Sequence, residues 1–457
     1  MRGFRSKFYE FAKMAETGPV VPVGKFDVQL FKEATSLVKQ HDIHYNPENV
    51  VPTDKGLIKN VFDAGMELLL RVGLLCTSTE RVIKFTKQDV EERMAMQPRE
   101  MSMGEGMDAA TMHQRQLEDA RPPFIVGGPF SIPISEEILA SLYEGLISEH
   151  LLQAYWTGVP ENILGMQVRG GSPLEMHAEV ANILTFRASA LRAGRPGVTL
   201  LGKGMSTTQA HVGATPFNMK SEPQFVSLFP ELKTDFGMLC KASHFIDCGF
   251  PIQGWASGFY GGYAGGIEGA AIAAVANALA QFVLFGVGFV GLSVFAMTDI
   301  GQPRRDLLWA VNLQGAALNT HGFITANVPY TVHAGPCTAM CFDEIAASSI
   351  GHTAAGSNLG GVAAREGKKT DYVTPLDARF MAEVGYASTG LKLEDANELV
   401  KRILPKFEEN IRSRNIPEGK RFQECYDLRS LKPTEEYLTL YENAKRELED
   451  LGLQFKS

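Results

Sequence analysis

The chain has 457 residues, 45% of them hydrophobic, enough for one large domain with additions or for two or three ordinary ones. Lys and Arg number 44 against 52 Asp and Glu, so the net charge is -8, and no basic run is long enough to suggest a nucleic-acid surface. Composition and charge therefore predict a globular protein without a polynucleotide partner.

The amino terminus, MRGFRSKFYEFAKMAE, is amphipathic and charged, and it lacks the apolar run and the cleavage site of a secretory signal. We therefore expect a cytoplasmic protein. An uncharged stretch from Gly269 to Met297 is long enough to span a membrane, but it divides into a small-residue helix, a glycine-rich break and an apolar strand. Its flanks also lack paired basic anchors, so no membrane partner is predicted.

Residues 1–120 are predicted to form an N-terminal helical extension. Apolar residues recur at helical spacing in VQLFKEATSLVKQ, KGLIKNVFDAGMELLLRVGLL and TKQDVEERMAMQ. From PPFIVGGPF at residue 122 the pattern changes to short apolar runs that each precede a helical pattern. We therefore interpret residues 121–415 as a separate catalytic domain.

Repeated strand and helix patterns define the fold class of this second domain. Six such units are recognisable, and two later helical patterns bring the expected number to about eight. The simplest α/β fold is then an eight-fold (β/α) TIM barrel. A doubly wound sheet would also alternate, but neither a G-x-G-x-x-G nor a G-x-x-x-x-G-K-[ST] motif follows a strand. Residues 416–457 are predicted to be a helical tail packed on the barrel.

Chemistry in such barrels lies in the loops that follow the strands. This rule selects a short set of candidate residues at predicted strand ends. They are Leu201, Lys203, Trp255, Thr298, Asp299, Tyr330, His333 and, in a glycine-rich segment, His352.

Several motifs resemble, in the same order, those of the monomethylamine:corrinoid protein methyltransferase family of methane-forming archaea. They are GRPG at 194, GGYAGGIE at 261, AGPCTAMC at 334, FQECYD at 422 and PTEEY...LEDLGL at 433. The resemblance covers most of the chain. It implies an eight-fold barrel, a homo-oligomer, and transfer of a methyl group from a small methylated substrate to the Co(I) corrinoid (cobalamin) of a separate small corrinoid protein.

The resemblance also exposes a difference at the centre of the site. The family carries pyrrolysine in the turn after GRPG, and Leu201 falls on that position. Trp255 and Phe225 fall where the family has acids, and Pro329 where it has a glutamine. Such a set favours a pocket rebuilt as an apolar, aromatic slot over a decayed enzyme. The predicted substrate-binding residues are Leu201, Phe225, Trp255, Tyr260, Pro329 and Tyr330.

An apolar slot suits an aryl methyl ether, whose phenolate leaving group needs a proton or a Lewis acid. The sequence therefore predicts the methyltransferase component of an aryl methyl ether O-demethylase. The alternative substrate is a quaternary or other methylated amine such as a betaine, held in a cage of Trp255 and Tyr260 with Lys203, Arg304 or Arg305 on its carboxylate. An alternative of another class is a catalytically silent scaffold that binds the corrinoid protein.

Asp299, after VFAM, and His333, in PYTVHAGPC, are the predicted catalytic residues, because each could protonate a leaving group. Their alternative roles are a helix cap for Asp299 and a packed strand-end imidazole for His333. The positive end of the helix that starts near Pro336 is expected to disfavour a charged His333. Gly335 and His352 are predicted to face the corrinoid, since a glycine lets a flat macrocycle approach the backbone.

A metal centre is a weaker hypothesis. His244, Asp247 and Cys248 in HFIDC could supply ligands, and zinc would suit the role of Lewis acid. Their tight spacing near a helix end favours capping and packing, so no metal site is predicted. The six cysteines include no C-x-x-C pair, which favours a reducing compartment.

Overall fold

The centre of the fold is an eight-stranded sheet in which all neighbouring strands are parallel. The computed structural model describes residues 2–202, 206–327 and 331–455. In chain order the strands of this sheet are β1 (Ile125–Gly127), β2 (Ala154–Tyr155), β3 (Thr199–Leu200), β4 (Gln224–Phe225), β5 (Ile252–Tyr260), β6 (Phe289–Ala296), β7 (Thr325–Asn327) and β8 (Asn358–Gly360).

The spatial order of the strands, β3-β2-β1-β8-β7-β6-β5-β4, follows their order in the chain. Strand β8 pairs with β1, so the sheet curls, with β3 and β4 at its edges. The N–H of Gly202, just beyond β3, donates to the carbonyl of Pro223, just before β4 (2.9 Å). The predicted α/β class is therefore confirmed as a curled, parallel eight-stranded sheet.

Helices follow every strand and cover the outside of the sheet, as parallel connections require. The N-terminal helices are α1 (Arg2–Thr17), α2 (Val23–Gln40), α3 (Lys55–Val72) and α4 (Lys87–Ala95). Those between and after the strands are α5 (Leu139–Ile147), α6 (Pro173–Arg192), α7 (Thr208–Gly213), α8 (Phe236–Cys248), α9 (Ile267–Phe285), α10 (Arg305–Thr320), α11 (Ala339–Ala354) and α12 (Pro375–Ala387). The helices that follow are α13 (Leu393–Ile403), α14 (Pro405–Ser413) and, in the tail, α15 (Phe422–Cys425) and α16 (Glu435–Asp450).

Two strands differ from the sequence prediction. Gln224–Phe225 forms β4, a strand that the sequence pattern does not indicate, and α8 begins only at Phe236. Asn358–Gly360, in the glycine-rich segment that follows His352, forms β8. Both strands are too short for a hydrophobic period to reveal them.

Helix α9 is the one helix in the described part of the chain that is long and apolar enough to cross a membrane, and 94% of its apolar window is buried inside the protein. Gly65 of α3 packs against it so closely that a Cβ would lie 2.6 Å from Val275 Cγ1. The helix ends at Gly286, whose φ of 64° suits a glycine, and β6 follows. The apolar stretch from Gly269 is thus helix, turn and strand, as predicted.

Shorter strands complete the fold. Leu74–Cys76 pairs with Arg81–Ile83 and with Lys233–Thr234. The hairpin of Glu100–Met103 and Ala110–His113 covers the amino end of the central sheet, where Met103 and Met112 join the inner core. Three small ribbons pair Pro133–Ile134 with Val159–Pro160, Asn162–Ile163 with Met166–Gln167, and Tyr426–Asp427 with Lys432–Pro433.

A buried ion pair supports the seam between β3 and β4. The carboxylate of Glu222 is inaccessible to solvent and accepts hydrogen bonds from the Arg187 guanidinium (2.6 Å), from the N–H of Leu200 (2.7 Å) and from that of Met219 (2.8 Å). Arg187 reaches it from α6. One acid therefore ties a helix to both edges of the sheet.

We expect Glu222→Ala to lower the free energy of unfolding by about 3 kcal/mol, because it strands the Arg187 charge and two backbone donors. Urea denaturation measures this loss. Glu144→Ala is the matched control, since Glu144 pairs with the more exposed Arg192 of the same helix (2.6 Å) and should cost less than about 1 kcal/mol. Equal losses in the two variants would contradict the special role of Glu222.

Candidate active site

Aromatic side chains fill the inside of the curled sheet. Alternate residues of β5 face opposite sides, so Trp255 points inward while Ala256 packs in the outer core. Leu201 and Phe225 lie in the same inner cluster as Trp255, and all three are buried. The structure thus brings together three of the residues predicted to line the substrate pocket.

Two further rings in this cluster escaped the sequence analysis. Phe130 stacks on Trp255 with ring centroids 4.6 Å apart and planes 8° from parallel. Trp156 meets both rings edge-on, at 5.0 Å from Phe130 and 6.0 Å from Trp255. Trp156 directly follows β2 and Phe130 lies three residues after β1, so the strand-end rule applied to these strands would have found them. We call Phe130, Trp156, Leu201, Phe225 and Trp255 the aromatic box.

Glycines on neighbouring strands seat the two tryptophans. A Cβ at Gly291 of β6 would lie 2.5 Å from Cε3 of Trp255, and one at Gly360 of β8 would lie 2.5 Å from Cζ3 of Trp156. The Trp255 indole N–H donates to Ser293 Oγ (2.8 Å), which is paired with Ser257 Oγ (2.8 Å). The Trp156 indole N–H donates to Gln253 Oε1 (3.3 Å). Packing and hydrogen bonds therefore hold both rings.

Tyr260 does not belong to this box. It lies five residues from Trp255 on β5, so the two side chains face opposite sides, and Tyr260 packs against the outer core. The predicted cage of Trp255 and Tyr260 is therefore wrong. By the alternation of side chains along β5, Phe259 points inward like Trp255 and Ser257. The predicted residues Lys203, Pro329 and Tyr330 lie outside the described residues.

A chain of charged groups lies in the loops that follow β6 and β7. His333 Nε2 faces Asp299 Oδ1 at 3.4 Å, and His333 Nδ1 donates to Glu344 Oε1 at 2.6 Å. Arg304 binds the other oxygen of Asp299 (2.9 Å) and holds Asp306 as well. The two predicted catalytic residues are thus neighbours, and Glu344 of α11 is a third member that the sequence did not indicate.

The electrostatics of this pair differ from expectation. Burial would lower the pKa of His333, but the carboxylates of Glu344 and Asp299 outweigh it and raise the pKa to about 9. Burial would raise the pKa of Asp299, but His333 and Arg304 bring it below its usual value. The expectation that a helix end keeps His333 uncharged is wrong, because two acids dominate.

Helix capping, the alternative role of Asp299, is not what the structure shows. Helix α10 begins at Arg305, and its N-cap residue Arg304 makes no side-chain capping bond. Asp299 Oδ2 instead accepts a hydrogen bond from Arg304. Arg305, considered as a carboxylate clamp, is bound by Glu408 (2.8 Å).

Gly335 and His352 are not placed to face a corrinoid. The tail covers Gly335 so closely that a Cβ there would lie 1.7 Å from the carbonyl oxygen of Glu418. His352 is fully buried in the last turn of α11, bonded to Asn312 (2.7 Å) and Asn327 (3.1 Å), and burial lowers its pKa to about 3. Both predictions fail because neither backbone nor ring is accessible.

The weak metal candidates lie at the end of α8, beside the amino end of β5. His244 pairs with Thr215 (3.2 Å), and Asp247 pairs with Arg5 (3.1 Å). Across residues 2–202, 206–327 and 331–455, no group of three or more His, Cys, Asp or Glu is placed to hold a metal ion. His244, Asp247 and Cys248 therefore do not form a centre within that part of the chain.

A cavity of about 420 Å³ opens beside the aromatic box. Ser131 and Thr157, which follow Phe130 and Trp156, line it together with the carboxylates of Glu175 and Glu179. Ser206 donates to Glu179 (2.6 Å), and Thr207 donates to Glu175. A larger cavity of about 1090 Å³ lies at the amino ends of the strands, near Phe124 and Gln153, and so at the opposite end of the sheet.

A curled parallel sheet with an aromatic box inside it and charged residues after its strands defines an α/β enzyme of the barrel type. The family model of monomethylamine methyltransferase MtmB matches residues 6–453. The monomethylamine methyltransferases of Methanosarcina mazei and Methanosarcina acetivorans are each 31% identical over 459 aligned positions, and the alignments cover 99% of this chain and 100% of each relative. The crystal structure of the Methanosarcina barkeri enzyme superposes with a TM-score of 0.94 at 30% identity, covering 98% of both chains.

The chain therefore belongs to the monomethylamine methyltransferase MtmB family. Members of this family work with a corrinoid carried by a partner protein. The prediction of aryl methyl ether O-demethylation is wrong, because the matching family and these relatives act on monomethylamine by name over the full chain length. The same match overturns the silent-scaffold alternative. The other alternative was a quaternary or other methylated amine, and the relatives are named for a methylated amine.

Proposed function

We propose that this protein transfers the methyl group of a small methylated amine, monomethylamine in the first place, to the corrinoid of a separate protein. We further propose that the curled sheet closes as an eight-fold barrel whose mouth is the active site. The observation that carries the proposal is the Asp299–His333 pair, which lies in the loops that follow β6 and β7, at the carboxyl end of the sheet. Full-length family membership supplies the reaction type.

The chemistry of this end of the sheet suits a methylated ammonium ion. By analogy with lysine, an alkylamine is protonated near neutral pH. Asp299 supplies an opposite charge for the ammonium, and the aromatic box offers the ammonium side cation–π contact from inside the sheet, which leaves the methyl group facing the mouth. The carboxylates of Glu175 and Glu179 favour entry of a cation through the adjoining cavity.

The resemblance puts Leu201 where the family carries pyrrolysine, so another group must hold the amine in this chain. We assign that task to Asp299, which binds the ammonium, and to the box, which turns the methyl group outward. Protonated His333 holds the Asp299 carboxylate in place (3.4 Å). Because the amine arrives as an ammonium ion, nitrogen leaves as ammonia with the electron pair of the broken C–N bond.

The buried atoms Asp299 Oδ1 and His333 Nε2 face each other at 3.4 Å and make no hydrogen bond to the rest of the described chain, so Asp299 Oδ1 can also bind an amine. When bound, the corrinoid supplies the Co(I) nucleophile that receives the methyl group. Asp299 and His333 act only on the amine.

An anaerobic donor assay tests the proposal. The protein is mixed with its corrinoid protein in the Co(I) state, and monomethylamine, dimethylamine, trimethylamine, glycine betaine and a methoxylated aromatic are offered separately. Visible spectra should show methylated corrinoid with monomethylamine and little with the others. Silence with every methylamine would overturn the proposal.

The remaining features of organisation are also proposals. They are a catalytic domain of residues 121–415 between an N-terminal extension and a C-terminal tail, a homo-oligomer, and a cytoplasmic location. Helices α1 to α4 share one hydrophobic core with α9 and β5, which supports folding of the extension with the barrel. Light scattering of the purified protein tests the oligomer.

A further inference from the structure

One buried carboxylate, that of Glu344, contacts the ring and the backbone of His333. Glu344 is inaccessible to solvent, and its Oε1 accepts hydrogen bonds from both the backbone N–H (3.0 Å) and the ring Nδ1 (2.6 Å) of His333. Its Oε2 accepts one from the N–H of Ala334 (2.9 Å). Because all three donors belong to the loop after β7, this acid fixes the loop and the ring together.

The opposite edge of the imidazole, which carries Nε2, is fixed as well. An ionised carboxylate only accepts hydrogen bonds, so Nδ1 carries a proton and Nε2 is the atom left for Asp299. Gly301 lies against the ring, and a Cβ there would come within 2.1 Å of Nε2. The imidazole therefore has one orientation, with Nε2 toward the loop that carries Asp299.

We propose that Glu344 is a positioning residue of the methyl-transfer reaction: it holds His333 in the orientation and charge state that present the Nε2 proton to Asp299, the carboxylate that binds the amine. The inference rests on the proposed function and adds a residue that touches neither the substrate nor the corrinoid.

The charges around the ring support this role. The side chains of Glu344, His333, Asp299 and Arg304 contact one another in that order. Their charges alternate in sign, so each group stabilises the next. Burial works against the charged imidazole, and Glu344 is the first of the groups that overcome it to raise the pKa of His333. Removal of this carboxylate must therefore lower that pKa.

Other ionisable groups near this loop act on its backbone. Arg365 donates to the carbonyl of His333 (3.1 Å) and pairs with Glu418 (3.2 Å). Glu366 accepts from the N–H of Ile300 (3.4 Å) and pairs with Lys368. These groups stay in place when Glu344 alone is changed, so the effect of its charge can be isolated.

The test is Glu344→Gln in the full-length protein with its corrinoid partner. We expect the pKa of His333, followed by NMR of the 15N-labelled ring and assigned with His333→Asn, to fall by about two pH units. The alkaline limb of the methyl-transfer rate should move down with it, and the rate at about pH 8 should drop roughly tenfold or more. A purely structural role would change the rate without moving this limb.

Asp343→Asn is the matched control. Asp343 is the neighbouring acid on α11, but it pairs with Lys406 (3.1 Å) and so faces α14. It should leave both the His333 titration and the alkaline limb unchanged. If Glu344→Gln fails to fold, Glu344→Asp keeps the charge, and we expect it to retain the pH limb at a reduced rate.

The outcomes separate the two proposals. An unchanged His333 titration in Glu344→Gln, or a limb displaced in Glu344→Asp, would overturn the role of Glu344. A shifted titration with an unmoved rate limb would overturn its part in the reaction. If no methylamine reacts even with the unaltered protein, the proposed function fails, and the role of Glu344 in the reaction falls with it, while the NMR titration still reports the coupling to His333.

Discussion

Asp299→Asn is expected to lower the rate of methyl transfer by about 10²–10⁴-fold with the fold intact. The substitution keeps the shape of the side chain but removes the negative charge that faces both His333 (3.4 Å) and Arg304 (2.9 Å). The ammonium then loses its counter-ion and His333 loses its partner. Anaerobic rates of corrinoid methylation from monomethylamine, near neutral pH, measure the loss.

Asp306→Asn provides the control for this result. Asp306 also binds Arg304 (2.8 Å), so the variant removes a negative charge from the same guanidinium. Asp306 lies in the first turn of α10, however, and does not contact His333. Its rate should stay within about threefold of the unaltered protein. Equal losses in both variants would mean that Arg304, rather than the Asp299–His333 pair, governs the reaction.

The pH dependence follows from the same pair. His333 and Arg304 hold the pKa of Asp299 below its usual value, so Asp299 stays ionised through the neutral range. The pKa of His333 is raised to about 9, so the protonated form that the reaction uses is lost as the pH rises through that value. Activity should thus be level near neutrality and fall on the alkaline side.

Much of the fold follows from the sequence because each long strand has a helix behind it. The runs FPIQGW and GLSVFAM predict β5 and β6, which are nine and eight residues long. Strands β4 and β8 contain only two and three residues, and their pairing is set by neighbours rather than by their own pattern. Tyr260 was misplaced for a related reason: the strand-end rule gives the end of the sheet but not the face.

The site was only partly predictable. Asp299 and His333 follow strands and so could be found, but Glu344 lies eleven residues from His333 on a helix, and only the fold of the loop brings them together. The substrate was misassigned because an aromatic box suits both a flat ring and a methylated cation. Local composition does not distinguish these ligands, whereas the relatives that match over the full chain are named for monomethylamine.

Trp255→Ala should lower the free energy of unfolding by about 3–5 kcal/mol, the usual cost of removing a large buried ring. It empties the centre of the aromatic box, ends the stack on Phe130 and leaves Ser293 without its donor. The same change should raise the KM for monomethylamine about tenfold, because the aromatic contact to the cation is lost. Urea denaturation and the corrinoid assay measure the two effects.

Trp255→Phe separates the two contributions. It keeps a ring against Phe130 and loses the hydrogen bond to Ser293 Oγ (2.8 Å), so it should cost only about 1–2 kcal/mol and leave most of the substrate contact. Gly291→Ala approaches from the other side, since its methyl group would lie 2.5 Å from Cε3 of Trp255 and must push the ring out of place. If this variant raises the KM for monomethylamine as Trp255→Ala does, the position of the ring matters for binding. A normal KM in both Trp255→Ala and Gly291→Ala would show that Trp255 only packs in the core and does not contact the substrate.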